Sequence, residues 1–432
     1  MREKTGLRVT GAGLALACLW AMATALPRPA RPPAEAWAAP DLEVTDAAIA
    51  WFEAKLAADP TNPLLAAHLS SRYMERFGLS ADLDDVRGAE RLARTLVPLS
   101  RDPARAWTRL SAVLLARHGF GDALAAARRA VAADSADPDA WGALFDAGFA
   151  AGSYAEAERA LTRQEPGVAR RVREAFWLSA RGETDRAAAR LGEACRTIAG
   201  WSGRETTAAW CLTEMGHLEL ARKGPQAAAT LYAAALAASP GYRAAVEGLA
   251  DLAHARGDWS EAERLYRRIA VDAHADLYLR LAETRRMQGD PAGGSAWERE
   301  FLRVAGAPEA EPLHAHPLAL YHAQRAATQD LALAVAGRDV RRRPTVESWD
   351  VLAWVRFRRG ELREALAASD RAFAWGAPSP TMEYRRARIL ASLGRDLEAA
   401  PLLERALAEP AMLEPSMRIE ATESLRLLLP DG

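Results

Sequence analysis

The side chains in this sequence whose types and spacing suit chemistry are few, and Cys195 and Cys211 come first. Each lies eight residues from Gly203, which falls in the loop expected between two antiparallel helices, so the two thiols sit at similar height. In an oxidising compartment such a pair forms a disulfide closing a loop of 15 residues, with about 3 kcal/mol of stabilisation in the chain-entropy account. The competing reading is two small buried residues, because Cys packs readily in cores and disulfide geometry is demanding. Neither Cys has a CxxC partner or an obvious His, which argues against zinc or thiol catalysis. His314 and His316, with His322 beyond them, have ligand-capable spacing just before a helix expected near Pro317. No Asp, Glu or Cys completes a metal motif there, so no metal is assigned. Arg338, Arg341, Arg342 and Arg343 form the densest basic cluster, but they fall in the last turns of a helix before Pro344, where cations complement the helix dipole.

Catalytic signatures are missing from the chain. It has three lysines, none in a GxxxxGK[ST] setting, and HExxH, GxSxG and clustered Gly-rich dinucleotide motifs are absent as well. The expectation is therefore a non-enzyme with no cofactor. A net charge of -1 argues against a nucleic-acid partner, which usually selects a basic face.

The elements that carry these residues repeat. From Arg243 to His274, Leu249 and Ala250 sit in one helix, Gly257 and Asp258 turn the chain, and Ala262, Tyr266 and Ile269 line a second helix. Trp107 opens an equivalent unit at Ala104, with Leu110, Ala123, Ala127 and Ala130 at matching offsets, and Trp141 opens another at Pro138. Further units align on Trp349 with Gly360 and Ala365, on Ala387 with Gly394 and Ala399, and on Gly216 with Ala228, Tyr232 and Pro240. Start positions fall near 104, 138, 168, 209, 243, 275, 313, 346 and 380, at intervals of 30 to 41 residues; the units at 168 and 313 are degenerate. Gly257, Gly289, Gly360 and Gly394 end first helices, where positive φ is needed.

These units resemble tetratricopeptide repeats. The resemblance implies an all-α fold, an α-solenoid in a right-handed superhelix of about nine to ten tetratricopeptide-like hairpins. It also implies that first helices line a concave groove. At the ninth position of each repeat this gives Asp146, Asp251, Glu283, Trp354 and Arg388, with Glu247, His254, Arg286, Asp350, Phe357 and Tyr384 at neighbouring groove offsets. The middle of the groove is thus expected to be acidic and polar, and its back part aromatic. The family's Lys and Asn clamp for a terminal carboxylate is not available to a chain whose sole Asn is Asn62.

At the N-terminus, Arg2, Lys4 and Arg8 precede an uncharged apolar stretch of 18 residues, Val9 to Leu26. It reads as an export signal with small residues at Ala23-Thr24-Ala25, as an uncleaved anchor, or as a faint lipoprotein box ending at Cys18. Residues 27–44 read as a Pro/Ala-rich linker, 45–303 as a front block, 304–315 as a hinge loop built on VAGAPEAEP, and 316–430 as a back block. Thr45 is the expected N-cap of a first helix from Asp46 to Ala58. Leu64–Phe77 and Val86–Leu99 are expected to pair as an atypical first repeat, joined through Ser80 to Asp85. A closing helix from Ser416 to Leu429 should cover the last repeat with Ile419, Leu425 and Leu428. The function expected is an exported, periplasmic or cell-envelope adaptor that holds a protein or peptide partner. A structural subunit or assembly factor of an envelope complex is the alternative; a helical-repeat enzyme or ligand carrier is disfavoured.

Overall fold

The computed structural model describes residues 40–428 apart from 202–204, 271, 309, 410 and 411. The signal or anchor at 1–26, Cys18, residues 27–39 of the linker and the Gly203 pivot lie outside the described residues.

The described chain is a row of antiparallel helices: α1 (Pro40–Ala58), α2 (Pro63–Ser80), α3 (Leu83–Leu99), α4 (Pro103–Ala116), α5 (Phe120–Ala133), α6 (Pro138–Ala150), α7 (Tyr154–Thr162) and α8 (Val168–Ala180). It continues with α9 (Thr184–Ala199), α10 (Glu205–Lys223), α11 (Pro225–Ala238), α12 (Arg243–Arg256), α13 (Trp259–Ile269), α14 (Asp276–Met287) and α15 (Pro291–Ala305). The last seven are α16 (Glu311–Ala323), α17 (Gln329–Arg342), α18 (Val346–Arg358), α19 (Leu362–Phe373), α20 (Pro380–Ser392), α21 (Asp396–Ala408) and α22 (Pro415–Leu428). From α2/α3 to α20/α21 they pair into ten hairpins, with α1 and α22 at the ends. First helices start within four residues of every position read from the sequence, the degenerate units at 168 and 313 included.

Local chemistry explains each hairpin. Gly257 stops α12 at φ 81°, a conformation that strains any side chain, and Asp258 then caps α13 by accepting the Glu261 N–H at 3.2 Å. Ala262, Ala365, Ala399 and Ala228 have no exposed surface, as suits small residues where helices pack closely. Tyr232 is wedged between helices at two glycines: a Cβ on Gly248 would stand 2.6 Å from its ring, and one on Gly216 would meet the ring as well. Buried Leu, Ile and Phe at the same offsets, such as Leu281 and Phe301, each contribute about 1.5–3 kcal/mol through burial.

The ends depart from expectation. Helix α1 begins at Pro40, so Thr45 is a buried residue within it and not its N-cap, and residues 40–44 are helix and not linker. Proline suits the first helical turn because its missing N–H has no partner to lose there. Helices α2 and α3 run closer together than expected, leaving only Ala81 and Asp82 between them, with Ala81 in the left-handed region at φ 56°. At the other end Leu425 and Leu428 pack on the last hairpin, whereas Ile419 is 54% exposed and turns away. The expected hinge at 304–315 is a five-residue link, 306–310, before α16, and one apolar cluster runs through it from Val246 to Ile389.

The row also curls until its back meets its front. Trp375 stacks on Tyr154 with ring centroids 3.5 Å apart and abuts Trp177 at 5.2 Å. The Tyr154 hydroxyl accepts the Val346 N–H at 3.1 Å, and the Ala377 N–H donates to the Ala180 carbonyl at 2.9 Å. Two glycines at positive φ allow this approach: a Cβ on Gly376 would stand 2.6 Å from the Ala180 oxygen, and one on Gly152 2.8 Å from Pro344.

Between α9 and α10, Cys195 and Cys211 are joined, with an S–S distance of 2.02 Å and Cα atoms 5.6 Å apart. Replacing both with Ser is expected to destabilise the protein by about 3 kcal/mol, as is reduction of the native protein, with little further effect of reductant on the variant. Urea unfolding with and without reductant measures both.

Candidate partner-binding site

The inner face of the curl is formed by first helices, and the groove residues named from the sequence fall into two groups on it. Those of the first and last parts are enclosed. Asp146 is buried in a bidentate pair with Arg173 of α8, at 2.7 and 2.8 Å, and Gly142 leaves room for that guanidinium. Burial pushes the Asp146 carboxyl up while Arg173 opposes it. Asp350 accepts a single hydrogen bond from Arg385 of α20 at 2.5 Å. Trp354 is 7% exposed, stacked on Phe357 at 4.9 Å and against Tyr384 at 6.0 Å. Tyr384 donates to Glu420 at 2.7 Å, and Arg388 joins the same carboxylate. These side chains tie neighbouring first helices together; Phe357 alone of the aromatic trio is half-buried.

The middle group is different. Glu247, Asp251 and Glu283 are half-buried on α12 and α14, and Asp276 at the start of α14 is exposed. They line an inner space that water reaches. Asp251 accepts the Tyr266 hydroxyl at 2.6 Å, and His254 lies buried with Nε2 3.8 Å from Glu283. Arg286 is exposed and pairs with Glu298 of α15 at 2.5 Å. Burial, reinforced by Asp276 and Asp251, pushes the Glu247 carboxyl up to about 8. Burial and the neighbouring Glu414 do the same to Glu283, also to about 8. Arg243 opposes the shift of Glu247, and Arg280 and Arg286 oppose that of Glu283.

Residues that sequence reasoning did not select complete this surface. Arg280 was within reach of it, because it sits one turn before Glu283 on the same helix face. Glu414 and Arg418 come from the start of α22: Glu414 pairs with Arg280, and Arg418 donates to the Ala255 carbonyl at 3.3 Å. Nothing in the spacing signals a contact between residues 134 positions apart. His118, His274 and His314 also converge between front and back, and burial drives His118 and His274 down to about 3, with Arg343 and Arg243 respectively adding to the effect.

The histidines near α16 do not form a ligand set. His314 is buried at a kink in that helix, His322 is buried near its end, and His316 contacts Asp339 at 2.8 Å and Ser348 at 3.1 Å. Both contacts use Nε2, so Ser, His and Asp are not strung in the order that a nucleophile relay needs. Among the described residues no group of three or more His, Cys, Asp or Glu side chains is placed to hold a metal ion. In the basic cluster Arg338 and Arg342 pair with Glu311 and Arg343 pairs with Asp339, so these charges are largely spent within the fold.

No family model matches the sequence, and no curated protein matches it. Among solved structures it is similar to a tetratricopeptide repeat protein from Parabacteroides merdae, at 16% identity over 61% of this chain and 98% of that one, with a TM-score of 0.35. It is similar to Pseudomonas aeruginosa pilF at 16% identity over 49% and 96%, with a TM-score of 0.36. A human IFIT1 dimer with PPP-AAAA aligns at 15% identity over 72% of each chain, with a TM-score of 0.46. At such identities and scores the likenesses add no argument about function; the hairpins themselves carry the assignment. The chain is an all-α solenoid of helical hairpins that resemble tetratricopeptide repeats.

Two outcomes follow. Trp354→Ala should cost about 3–5 kcal/mol in urea unfolding, the range for emptying a large aromatic site in a core. His118 is neutral when folded but takes a proton near its ordinary value of 6.5 when unfolded, so its contribution is intact above that pH and is lost as pH falls toward about 3. His118→Asn keeps a side chain that tolerates the left-handed backbone at φ 59°. It should recover about 1 kcal/mol of the stability lost between roughly pH 7.5 and 5.5.

Proposed function

We propose that this chain is a non-catalytic adaptor of the cell envelope that holds a protein or peptide segment on the inner face of its middle hairpins. The observation that carries this reading is the water-reached surface of α12 and α14, where the carboxyl groups of Glu247, Asp251, Asp276 and Glu283 gather with Arg243, Arg280 and Arg286. Half-buried carboxylates in partly dehydrated surroundings interact strongly with donors that replace their water, so a segment bearing Lys, Arg or exposed amide donors suits this face. The envelope part of the reading rests on the basic-then-apolar N-terminal stretch and on the Cys195–Cys211 bridge, which an oxidising compartment maintains. Among the described residues no helix is long and apolar enough to cross a membrane, so attachment would run through residues 9–26.

A structural subunit of an envelope complex is favoured by one feature, the groove of α19 to α21 where Phe373, Leu390, Leu402 and the 93%-exposed Leu397 lie among Glu383, Arg386, Glu398 and Arg405. Photo-cross-linking residues at Asp276 and at Leu397, in the full chain expressed in its own envelope, separate the two readings. A single protein captured from position 276, with yield reduced at least fivefold by Asp251→Asn, is the expected result. Capture from position 397 alone would select the structural subunit, and a small-molecule adduct at 276 a ligand carrier.

A further inference from the structure

The C-terminal helix α22 is anchored at one place and reaches to another. Leu413, Met417, Ala421, Leu425 and Leu428 pack it on α20 and α21, and Glu420 accepts hydrogen bonds from Tyr384 and Arg388. Its first turn overhangs the inner face of the middle hairpins. There Glu414 pairs with Arg280 of α14, and Arg418 donates to the Ala255 carbonyl of α12 at 3.3 Å. No residue of α12 or α14 belongs to the apolar cluster that anchors α22, so this second contact is polar and separable from the anchor.

The two side chains are presented as a unit. Glu414 stands just before Pro415, the first residue of α22, and its carbonyl accepts the Arg418 N–H at 2.9 Å, which closes the first turn. Side chains four positions apart then lie on one face of the helix. What receives them is equally particular. Arg280 offers a planar fork of donors that suits a carboxylate. Ala255 is in the last turn of α12, where carbonyls have no N–H partner inside the helix. The carbonyls of Ala253 and His254 take the Asp258 and Gly257 N–H groups at 2.9 and 3.0 Å, and that of Ala255 takes Arg418. A cation at this point also meets the negative end of the helix dipole. The seat therefore reads order as well as charge. Reversing the two side chains would set a carboxylate against a carbonyl oxygen and a guanidinium against Arg280, which is repulsive at both ends.

We propose that the first turn of α22 is an internal stand-in for a partner. The seat formed by Arg280 and the end of α12 takes from that partner a helical turn with an acidic residue followed four positions later by Arg or Lys, and Glu414 and Arg418 fill the seat until such a turn displaces them. This inference rests on the adaptor reading and names the partner's chemistry at the same face. The carboxyl groups of Glu247, Asp251, Asp276 and Glu283 on the same two helices favour the cationic end of the turn. Displacement is cheap, because Arg280 and Glu414 keep 23% and 19% of their side-chain surface in water and such pairs are weak. The apolar anchor nevertheless holds the stand-in close, at high effective concentration.

A fluorescent peptide carrying residues 412–419 of this chain, extended by an Ala- and Gln-rich helical tail, is the probe, and its binding to the full chain is read by fluorescence anisotropy. A seat filled in cis about nine times in ten lowers the apparent affinity for the peptide about tenfold. Glu414→Ala/Arg418→Ala, which leaves the apolar anchor in place, should therefore bind the peptide about tenfold more tightly than the wild type, with helical circular dichroism and urea midpoint little changed. Arg418→Gln alone should show a smaller gain and carries the same comparison if the double variant does not fold. Adding Arg280→Ala should abolish the gain, and a peptide with its Glu and Arg exchanged should not bind. Equal affinity of the wild type and the emptied variants overturns the proposal, as does equal binding of the exchanged peptide or indifference to Arg280→Ala. The probe comes from this chain, so the outcome is independent of capture at position 276: failure here with capture there sinks the stand-in alone, and binding here without capture sinks the adaptor reading.

Discussion

The structure depends on how closely neighbouring helices approach at a handful of positions without room for a side chain. Ala228, Ala262, Ala365 and Ala399 are closed to solvent, and Tyr232 fills the gap that Gly216 and Gly248 leave open. Each such contact sets one crossing angle, and in a solenoid the same angle is applied again at every hairpin. Curvature therefore accumulates. By the ninth hairpin it has brought Trp375 onto Tyr154 of the third, six hairpins earlier in the chain. The closure is a product of summed local geometry, and the glycines at 152 and 376 are where the sum has to come out right, because a methyl group at either would collide with backbone.

Closure changes the chemistry of the inner face. On an open solenoid Glu247 and Glu283 would be ordinary surface carboxylates; enclosed by first helices on several sides, they lose part of their hydration and hold protons up to about 8. Elsewhere along the same face the problem is resolved by pairing. Asp146 meets Arg173 and Asp350 meets Arg385, each partner arriving from the first helix of the next hairpin. Replacing such pairs with apolar residues is often neutral for stability, so their value here is in register: each fits one alignment of successive hairpins and no other. In the middle hairpins Glu247 and Asp251 form no such pair with an arginine among the described residues; Asp251 accepts the Tyr266 hydroxyl instead.

What the sequence made legible is what repeats. Helix starts, the glycine stops at 257 and 360 and the buried alanines follow from periodicity, since a solenoid presents the same local problem about every 34 residues. An offset also tells which side of a helix a residue takes, and Asp146, Asp251, Glu283 and Trp354 do sit on first helices. It does not tell what lies across the gap. Trp354 is covered by Phe357 and Tyr384, and Asp146 by Arg173, because those partners belong to the adjoining turn or hairpin. A charge-reversed pair one repeat apart, as in Asp350 and Arg385, was a signal available in the sequence. The encounter of Glu414 with Arg280 was not, because no period connects positions 134 residues apart and only the accumulated curvature brings them together.

The two fastenings that keep the curl closed therefore have different physics. Around Trp375 the contact is aromatic, backed by backbone hydrogen bonds from Val346 and Ala377, and it contains no group that titrates near neutral pH. Such a contact follows buried area and is indifferent to protons and salt. Around Glu414 the contact is polar, an ion pair with Arg280 beside a hydrogen bond from Arg418 to a backbone carbonyl, so salt screens it while the aromatic one holds. Of the two fastenings, the one at the C-terminal helix is therefore the one that added salt weakens first.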